Sequence, residues 1–119
     1  MPEKSKWSKG VELVQKLFGD AAGGVKMPEK FRSYTIEHLF GEVWQGEELA
    51  LEERSLVTCT VLVALAREQE QKLHFTAAKN LGIAREKLEG MITHVAHYAG
   101  WPVAVSALRS LEEVWPGES

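Results

Sequence analysis

A glutamate and a histidine four residues apart are the residues of this chain best suited to proton transfer. Glu70 and His74 share one face if their segment is helical. A carboxylate beside an imidazole raises the proton affinity of the imidazole, which would let His74 deliver or accept a proton near neutral pH. The same spacing is also typical of a solvated surface pair, so both interpretations stay open on spacing alone.

A second group of titratable side chains lies about twenty residues further on. His94 and Tyr98 share a helix face, whereas His97 points away from them. His94 and Tyr98 are candidates for a binding pocket. The alternative is that the histidine caps a helix or lies in an interface, and that the tyrosine belongs to the core. A three-histidine metal site with His74 is conceivable, but the chain has neither two histidines four residues apart nor a His-Glu-x-x-His run. We therefore predict no metal site.

A glutamate and an arginine stand at the start of the most apolar stretch of the chain. Glu53 would be stabilised as an anion near a helix N-terminus. Arg54 could clamp a substrate carboxylate with two hydrogen bonds, although charges facing water are an equally good interpretation. Cys59 lies among apolar residues, where a thiol is usually an inert packing group. As the single cysteine of the chain, it excludes an internal disulfide and a Cys-x-x-Cys redox pair.

The charged candidates lie before or after a run of residues, 56–66, that is apolar on nearly every helix face. A helix of this kind is buried in a core or an interface, and the run is shorter than the ~20 residues that span a bilayer. We therefore predict a central buried helix over about residues 48–66, and no membrane association.

The remaining periodicity predicts further helices over about residues 5–18, 28–39, 70–81, 85–99 and 102–114. Gly19-Asp20 and Gly23-Gly24 separate the first two, and one helical turn is expected between Gly41 and Gly46. The expected apolar faces are Trp7, Val11, Val14, Leu17 and Phe18 on the first helix, and Phe31, Thr35, His38 and Leu39 on the second. No stretch alternates long enough for a strand, so the sequence predicts an all-α fold of about six helices in a single domain, residues 1–119.

Composition narrows the possible partners. The formal net charge is -3 without a basic tract, so nucleic acid is not an expected partner. The polar start of the chain is not followed by the apolar region of a signal peptide, which favours a cytoplasmic protein. The apolar third helix and four tryptophans offer more apolar surface than one small bundle hides. We therefore predict an obligate homo-oligomer, with a monomer of large core as the alternative.

An ordered set of short motifs resembles the carboxymuconolactone decarboxylase family, within the alkylhydroperoxidase D-like superfamily. The resemblance covers about residues 10–114. Its strongest parts are Arg54-Ser-Leu-Val-Thr58, the run from Val63 to Glu70, Leu73-His74, the residues Ala77, Ala78, Asn80 and Gly82, and Tyr98-Ala-Gly-Trp-Pro102.

This resemblance implies an all-helical subunit assembled into rings, commonly hexamers, with a pocket at a subunit interface. The peroxidase branch of the superfamily uses a Cys-x-x-Cys followed by a histidine. The matching positions here are Arg67, Glu70 and His74, so disulfide-based peroxide reduction is not expected. The decarboxylase branch carries the Glu-x-x-x-His that is present here.

The family reaction removes CO2 from 4-carboxymuconolactone and gives the enol-lactone of 3-oxoadipate, in the β-ketoadipate pathway of aromatic catabolism. No cofactor is expected. The resemblance and the chemistry together suggest His74 as the proton donor, Glu70 as the residue that orients it, and Arg54 as a ligand of an anionic substrate group. Glu53, His94 and Tyr98 are further candidates for binding a carboxylate or lactone substrate.

The chain also departs from the family pattern. Members often read Trp-x-Arg-Pro-Gly-Leu where this chain has Trp44-Gln-Gly-Glu-Glu-Leu49, and often have Asn at the position of Val105 and Gln at that of His94. A pocket that lacks this cation and this amide is less polar. There are therefore two alternatives. The protein acts on another small carbonyl compound or acid, or it is a non-enzymatic oligomeric binding protein.

Overall fold

The computed structural model describes residues 4–21 and 25–117, and these residues form an all-α bundle without strands. The fold class predicted from the sequence is therefore confirmed. None of the described helices is long and apolar enough to cross a membrane. The helices are α1 (Lys6–Phe18), α2 (Glu29–Ser33), α3 (Leu51–Ala64), α4 (Glu68–Asn80), α5 (Arg85–Ala99) and α6 (Trp101–Val114).

Three shorter elements connect the helices. A 3-10 turn over Gly19–Ala21 follows α1, and α2 continues directly into a π-helix over Tyr34–Phe40. The single turn expected between Gly41 and Gly46 is a 3-10 helix over Val43–Gln45. The break predicted at Gly23-Gly24 lies outside the described residues.

The helix ends follow from local sequence chemistry. The Ser5 hydroxyl accepts a hydrogen bond from the backbone N–H of Ser8 at 3.1 Å and caps α1. Gly100 separates α5 from α6 with a φ of 111°, a value that side-chain-bearing residues rarely adopt. Pro102 then occupies the first turn of α6, where its missing N–H costs nothing.

A packed core fills the space between α3, α4, α5 and α6. Its fully buried side chains include Cys59 and Val63 of α3, Phe75 of α4, Leu88 of α5 and Leu111 of α6. Gln71 is also fully buried, and its amide donates a hydrogen bond to the Leu62 carbonyl at 3.0 Å.

Helix α3, predicted to be buried in a core or an interface, is only partly buried within the single chain. Val57, Val61 and Leu65 are exposed on one face, while Ser55, Cys59 and Val63 lie in the core. The reason is that α3 packs against α4, α5 and α6 on one side only within a single chain. An exposed apolar face is what an oligomer would cover, and the homo-oligomer stays a prediction.

A second apolar cluster lies between α1, the π-helix and α4. It contains Leu13, Leu17 and Phe18 of α1, Phe40 of the π-helix, Trp44 and Ala77. Helix α1 and the π-helix are in backbone contact, because a Cβ at Gly10 would collide with the Ile36 carbonyl.

The apolar face predicted for the second helix is wrong at three of its four positions. Phe31, His38 and Leu39 are exposed, and only Thr35 is partly buried. The residues that turn inward are Ile36 and Phe40. A π-helix has more residues per turn than an α-helix, so a period of 3.6 assigns the wrong positions to the inner face.

Candidate functional site

An apolar cavity of about 300 Å³ opens beside the second cluster, between α1, α2 with its π-helix, and α4. Pockets that hold small molecules begin at about this size and are mostly apolar, with a few polar groups. The walls include Val14, Phe18, Phe40 and Leu73, and the polar side chains that reach the cavity are Arg32, Thr35 and His74. Of the six site residues predicted from the sequence, only His74 lines this cavity.

The His74 ring is held by apolar contacts rather than by hydrogen bonds. Its ring centroid lies 5.2 Å from that of Phe18, with the two planes 87° apart, an edge-to-face arrangement. Its Nδ1 atom is buried and has no hydrogen-bond partner within the described part of the chain. No hydrogen bond at Nδ1 from the described residues therefore fixes which nitrogen of the ring carries the proton.

Burial lowers the pKa of His74 from its ordinary value of 6.5, because the charged imidazolium loses hydration. The negative charge of Glu70 acts in the opposite direction but is the smaller effect. The sequence had suggested that the carboxylate would raise the proton affinity of the imidazole. In the folded chain desolvation is the larger effect, so the neutral form of His74 is favoured at pH 7.

The Glu70 side chain points toward Arg67, the residue that precedes α4. Its carboxylate accepts a hydrogen bond from Arg67 Nε at 3.0 Å, and its side chain is partly exposed. Glu70 is not among the described residues that line the cavity. Its effect on His74 is therefore a through-space charge effect, and an orienting role for Glu70 stays a prediction.

Glu53 and Arg54 organise the start of α3. The Glu53 carboxylate accepts a hydrogen bond from the backbone N–H of Ala50 at 2.8 Å, which caps the helix. Arg54 Nη2 donates to the Gly46 carbonyl and to Glu48 Oε1, each at 3.1 Å. Neither residue lines the cavity formed by the described residues. Their predicted substrate contacts are untested.

His94 and Tyr98 lie together on α5. Their rings stack with centroids 4.8 Å apart, as their shared helix face suggested, and the Tyr98 side chain is largely exposed. Neither belongs to the cavity wall in the described part of the chain. Across residues 4–21 and 25–117, no group of three or more His, Cys, Asp or Glu side chains could hold a metal ion.

Arg32 is the functional candidate that the sequence analysis missed. It extends from α2 to the cavity wall, and its guanidinium carbon lies 5.1 Å from the centre of the Trp7 ring. Its spacing contained a usable signal, because Arg32, Ile36 and Phe40 follow one another at intervals of four.

Comparison with known proteins identifies the family of this chain. The sequence profile of the "Carboxymuconolactone decarboxylase family" matches residues 29–113, a range that includes Arg32 and His74. The 4-carboxymuconolactone decarboxylase of Acinetobacter baylyi is 31% identical over 121 aligned positions, which cover 97% of this chain and 90% of that protein. This chain belongs to the carboxymuconolactone decarboxylase family.

A second similar protein is named for a different substrate. The nitrosuccinic acid decarboxylase npaB of Metarhizium robertsii is 31% identical over 72 aligned positions, 60% of this chain and 50% of that protein. The two relatives share a reaction type in their names, which is decarboxylation.

Proposed function

We propose that this protein is a decarboxylase that needs no cofactor and that acts on a small carboxylic acid, with 4-carboxymuconolactone as the first candidate. The observation that carries the proposal is the position of His74, a partly buried imidazole, on the wall of an apolar cavity of ligand size. The similarity to two decarboxylases supports the reaction type.

The proposed reaction breaks the bond between a ring carbon and its carboxylate. CO2 leaves, and the electron pair of the broken bond spreads through the ring alkene onto the lactone carbonyl. His74 then delivers a proton to the carbon next to that carbonyl, and water restores the proton to the imidazole. The apolar wall favours this sequence, because the transition state spreads a charge that the starting carboxylate concentrates.

The protonation state of His74 depends on whether an anionic substrate is bound. Burial by itself favours the neutral ring. An anionic ligand brings negative charge next to the ring in poorly screened surroundings, which raises the pKa of His74 and favours uptake of a proton. The proton donor is therefore charged by the binding of its own substrate.

The other predicted residues have supporting roles in this proposal. Glu70 adds a negative charge near His74, the direction that favours the protonated ring. Arg54, Glu53, His94 and Tyr98 are proposed to contact the substrate across an interface in a homo-oligomer, with the hexamer as the first expectation. The exposed apolar face of α3 is consistent with such an assembly. A cytoplasmic location in an aromatic catabolic pathway belongs to the same proposal.

A nitro acid is the second candidate substrate, on the strength of the similarity to nitrosuccinic acid decarboxylase. A nitro group can accept the electron pair that CO2 leaves behind, as a lactone carbonyl does. The same His74 would then protonate the carbon that carries the nitro group.

The test supplies the protein with 4-carboxymuconolactone and, in parallel, with nitrosuccinic acid, while ultraviolet absorbance and released CO2 are followed. Reactions without protein correct for spontaneous loss of CO2. We expect turnover of at least one substrate. A ligand that raises the melting temperature without CO2 release would instead indicate a binding protein.

A further inference from the structure

We propose that Arg32 anchors the carboxylate that the substrate keeps, so that this site selects acids that carry a second anionic group besides the one lost as CO2. The inference rests on the proposed function and adds a specificity-determining residue to it. It predicts that compounds with only the leaving carboxylate are poor substrates.

The guanidinium of Arg32 is placed to receive an anion. Its guanidinium carbon lies over the Trp7 ring, 5.1 Å from the ring centre, a cation–π contact that uses none of the N–H donors. None of the salt bridges within residues 4–21 and 25–117 includes Arg32. Arg54 differs, since it does not line the cavity and its Nη2 atom already donates to Glu48 and to the Gly46 carbonyl.

The cavity provides few other groups that could hold a carboxylate. The Thr35 hydroxyl donates its hydrogen to the Phe31 carbonyl at 2.9 Å, a bond within its own helix. None of the described lining residues is acidic, so nothing on the wall neutralises Arg32. Arg32 and His74 are therefore the two donors, and His74 is reserved for the proton.

The chemistry decides which carboxylate Arg32 should hold. The leaving carboxylate gives up its charge as CO2 forms, so pairing it with a cation stabilises the starting state more than the transition state and slows the reaction. The retained carboxylate keeps its charge throughout, so pairing it with Arg32 costs no rate. The leaving group then lies against the apolar wall of Phe18, Phe40 and Leu73.

Binding of an unreactive pair of ligands tests this assignment. The probes are a saturated five-membered lactone with an acetate side chain and the methyl ester of the same compound, titrated calorimetrically into the full-length protein. The wild type should bind the acid about tenfold more tightly than the ester, the size expected for one charge-assisted contact. Arg32→Gln should abolish this preference, and Arg32→Lys should retain part of it.

Lys30→Gln provides the matched control. Lys30 lies on the same helix, carries the same charge and is exposed as Arg32 is, but it does not line the cavity. This variant should keep the wild-type preference for the acid, and thermal melts of all variants should confirm that they are folded. Equal affinity of acid and ester for the wild type, or no measurable binding of the acid, would overturn the proposal.

Turnover measurements separate this inference from the proposed function. A wild type that prefers the acid through Arg32 but releases no CO2 from either substrate leaves the anchor standing and refutes the decarboxylase. A wild type that releases CO2, with KM and acid preference unchanged in Arg32→Gln, refutes the anchor alone. We expect Arg32→Gln to raise KM about tenfold with a smaller change in kcat, because a contact kept throughout the reaction contributes uniform binding.

Discussion

Cys59 and His74 are neighbours in space, yet one lies in a closed core and the other lies on the wall of a cavity. The Cys59 thiol donates a hydrogen bond to the His74 backbone carbonyl at 3.5 Å. Burial raises the pKa of Cys59 to about 12 and lowers that of His74, so each group is held in its neutral form. The difference lies in packing, because the thiol is enclosed by the core of α3–α6 and the imidazole faces a cavity.

This contrast shows that burial alone does not create an active group. Phe75 follows His74 directly on α4 and fills the packed core, while His74 turns toward open space. A neutral titratable group can meet a ligand only where the packing is left incomplete. The predictions below test whether the two sides of α4 differ in this way.

The largest effect on stability is expected when a large side chain is removed from the packed core. Phe75→Ala should lower the free energy of unfolding by about 3–5 kcal/mol, because it leaves a void in a closed core. Phe18→Ala should cost clearly less, since Phe18 already borders the cavity. Urea unfolding curves measure both variants, and equal losses would mean that the two regions are packed alike.

Larger side chains should also destabilise the packed core more than the cavity wall. Ala78 is fully buried in the packed core, so Ala78→Leu should destabilise the protein by about 1–3 kcal/mol. Val14→Leu adds volume where the cavity already has space, and should cost less than about 1 kcal/mol. It should also weaken ligand binding in calorimetry. A severe loss of stability in Val14→Leu would show that the cavity is not available in solution.

A smaller effect is expected in the pH dependence of stability. The unfolded chain protonates His74 at its ordinary value near 6.5, whereas the native state resists protonation until lower pH. The unfolded state thus binds more protons in this window, so stability is retained above pH 6.5 and declines as the pH falls toward the native pKa.

His74→Gln removes this dependence and serves as the comparison. Unfolding of both proteins measured at intervals between neutral and mildly acidic pH should show a steeper decline for the wild type. Parallel curves would indicate that the native ring titrates like an exposed histidine.

The smallest effect concerns the thiol. Because Cys59 is fully buried and its pKa lies far above neutrality, iodoacetamide should leave native protein unmodified and its turnover unchanged. Mass spectrometry after the same treatment in urea should show one added group. Rapid modification of native protein would contradict the enclosed core.

The sequence predicted the fold better than it predicted the site. The bounds of α5, Arg85–Ala99, agree with the prediction because the sequence itself carries the stop signal at Gly100. Glu70 and His74 do lie one turn apart on α4. The direction of the His74 pKa shift could not be read from their spacing, because it depends on how deeply the tertiary packing buries the ring.

Arg32 was missed for a different reason. The predicted inner face was Phe31, Thr35, His38 and Leu39, whereas the π-helix at Tyr34–Phe40 turns Ile36 and Phe40 inward. Arg32 lies four residues before Ile36, so the error in the inner face also hid Arg32. Local propensity gives no warning of such an insertion. Exposed apolar residues on α3 likewise cannot be told from buried ones by composition alone.

The central claim is that His74 donates the proton, and its most direct test is the pH dependence of kcat/KM and kcat for 4-carboxymuconolactone in the wild type and in His74→Gln. In the wild type kcat/KM should fall above a pKa lower than the ordinary 6.5. The fall in kcat should lie at higher pH, because bound substrate raises that pKa. His74→Gln should be slower by about a hundredfold or more and lack this fall. Wild-type rates in folded His74→Gln would contradict the account.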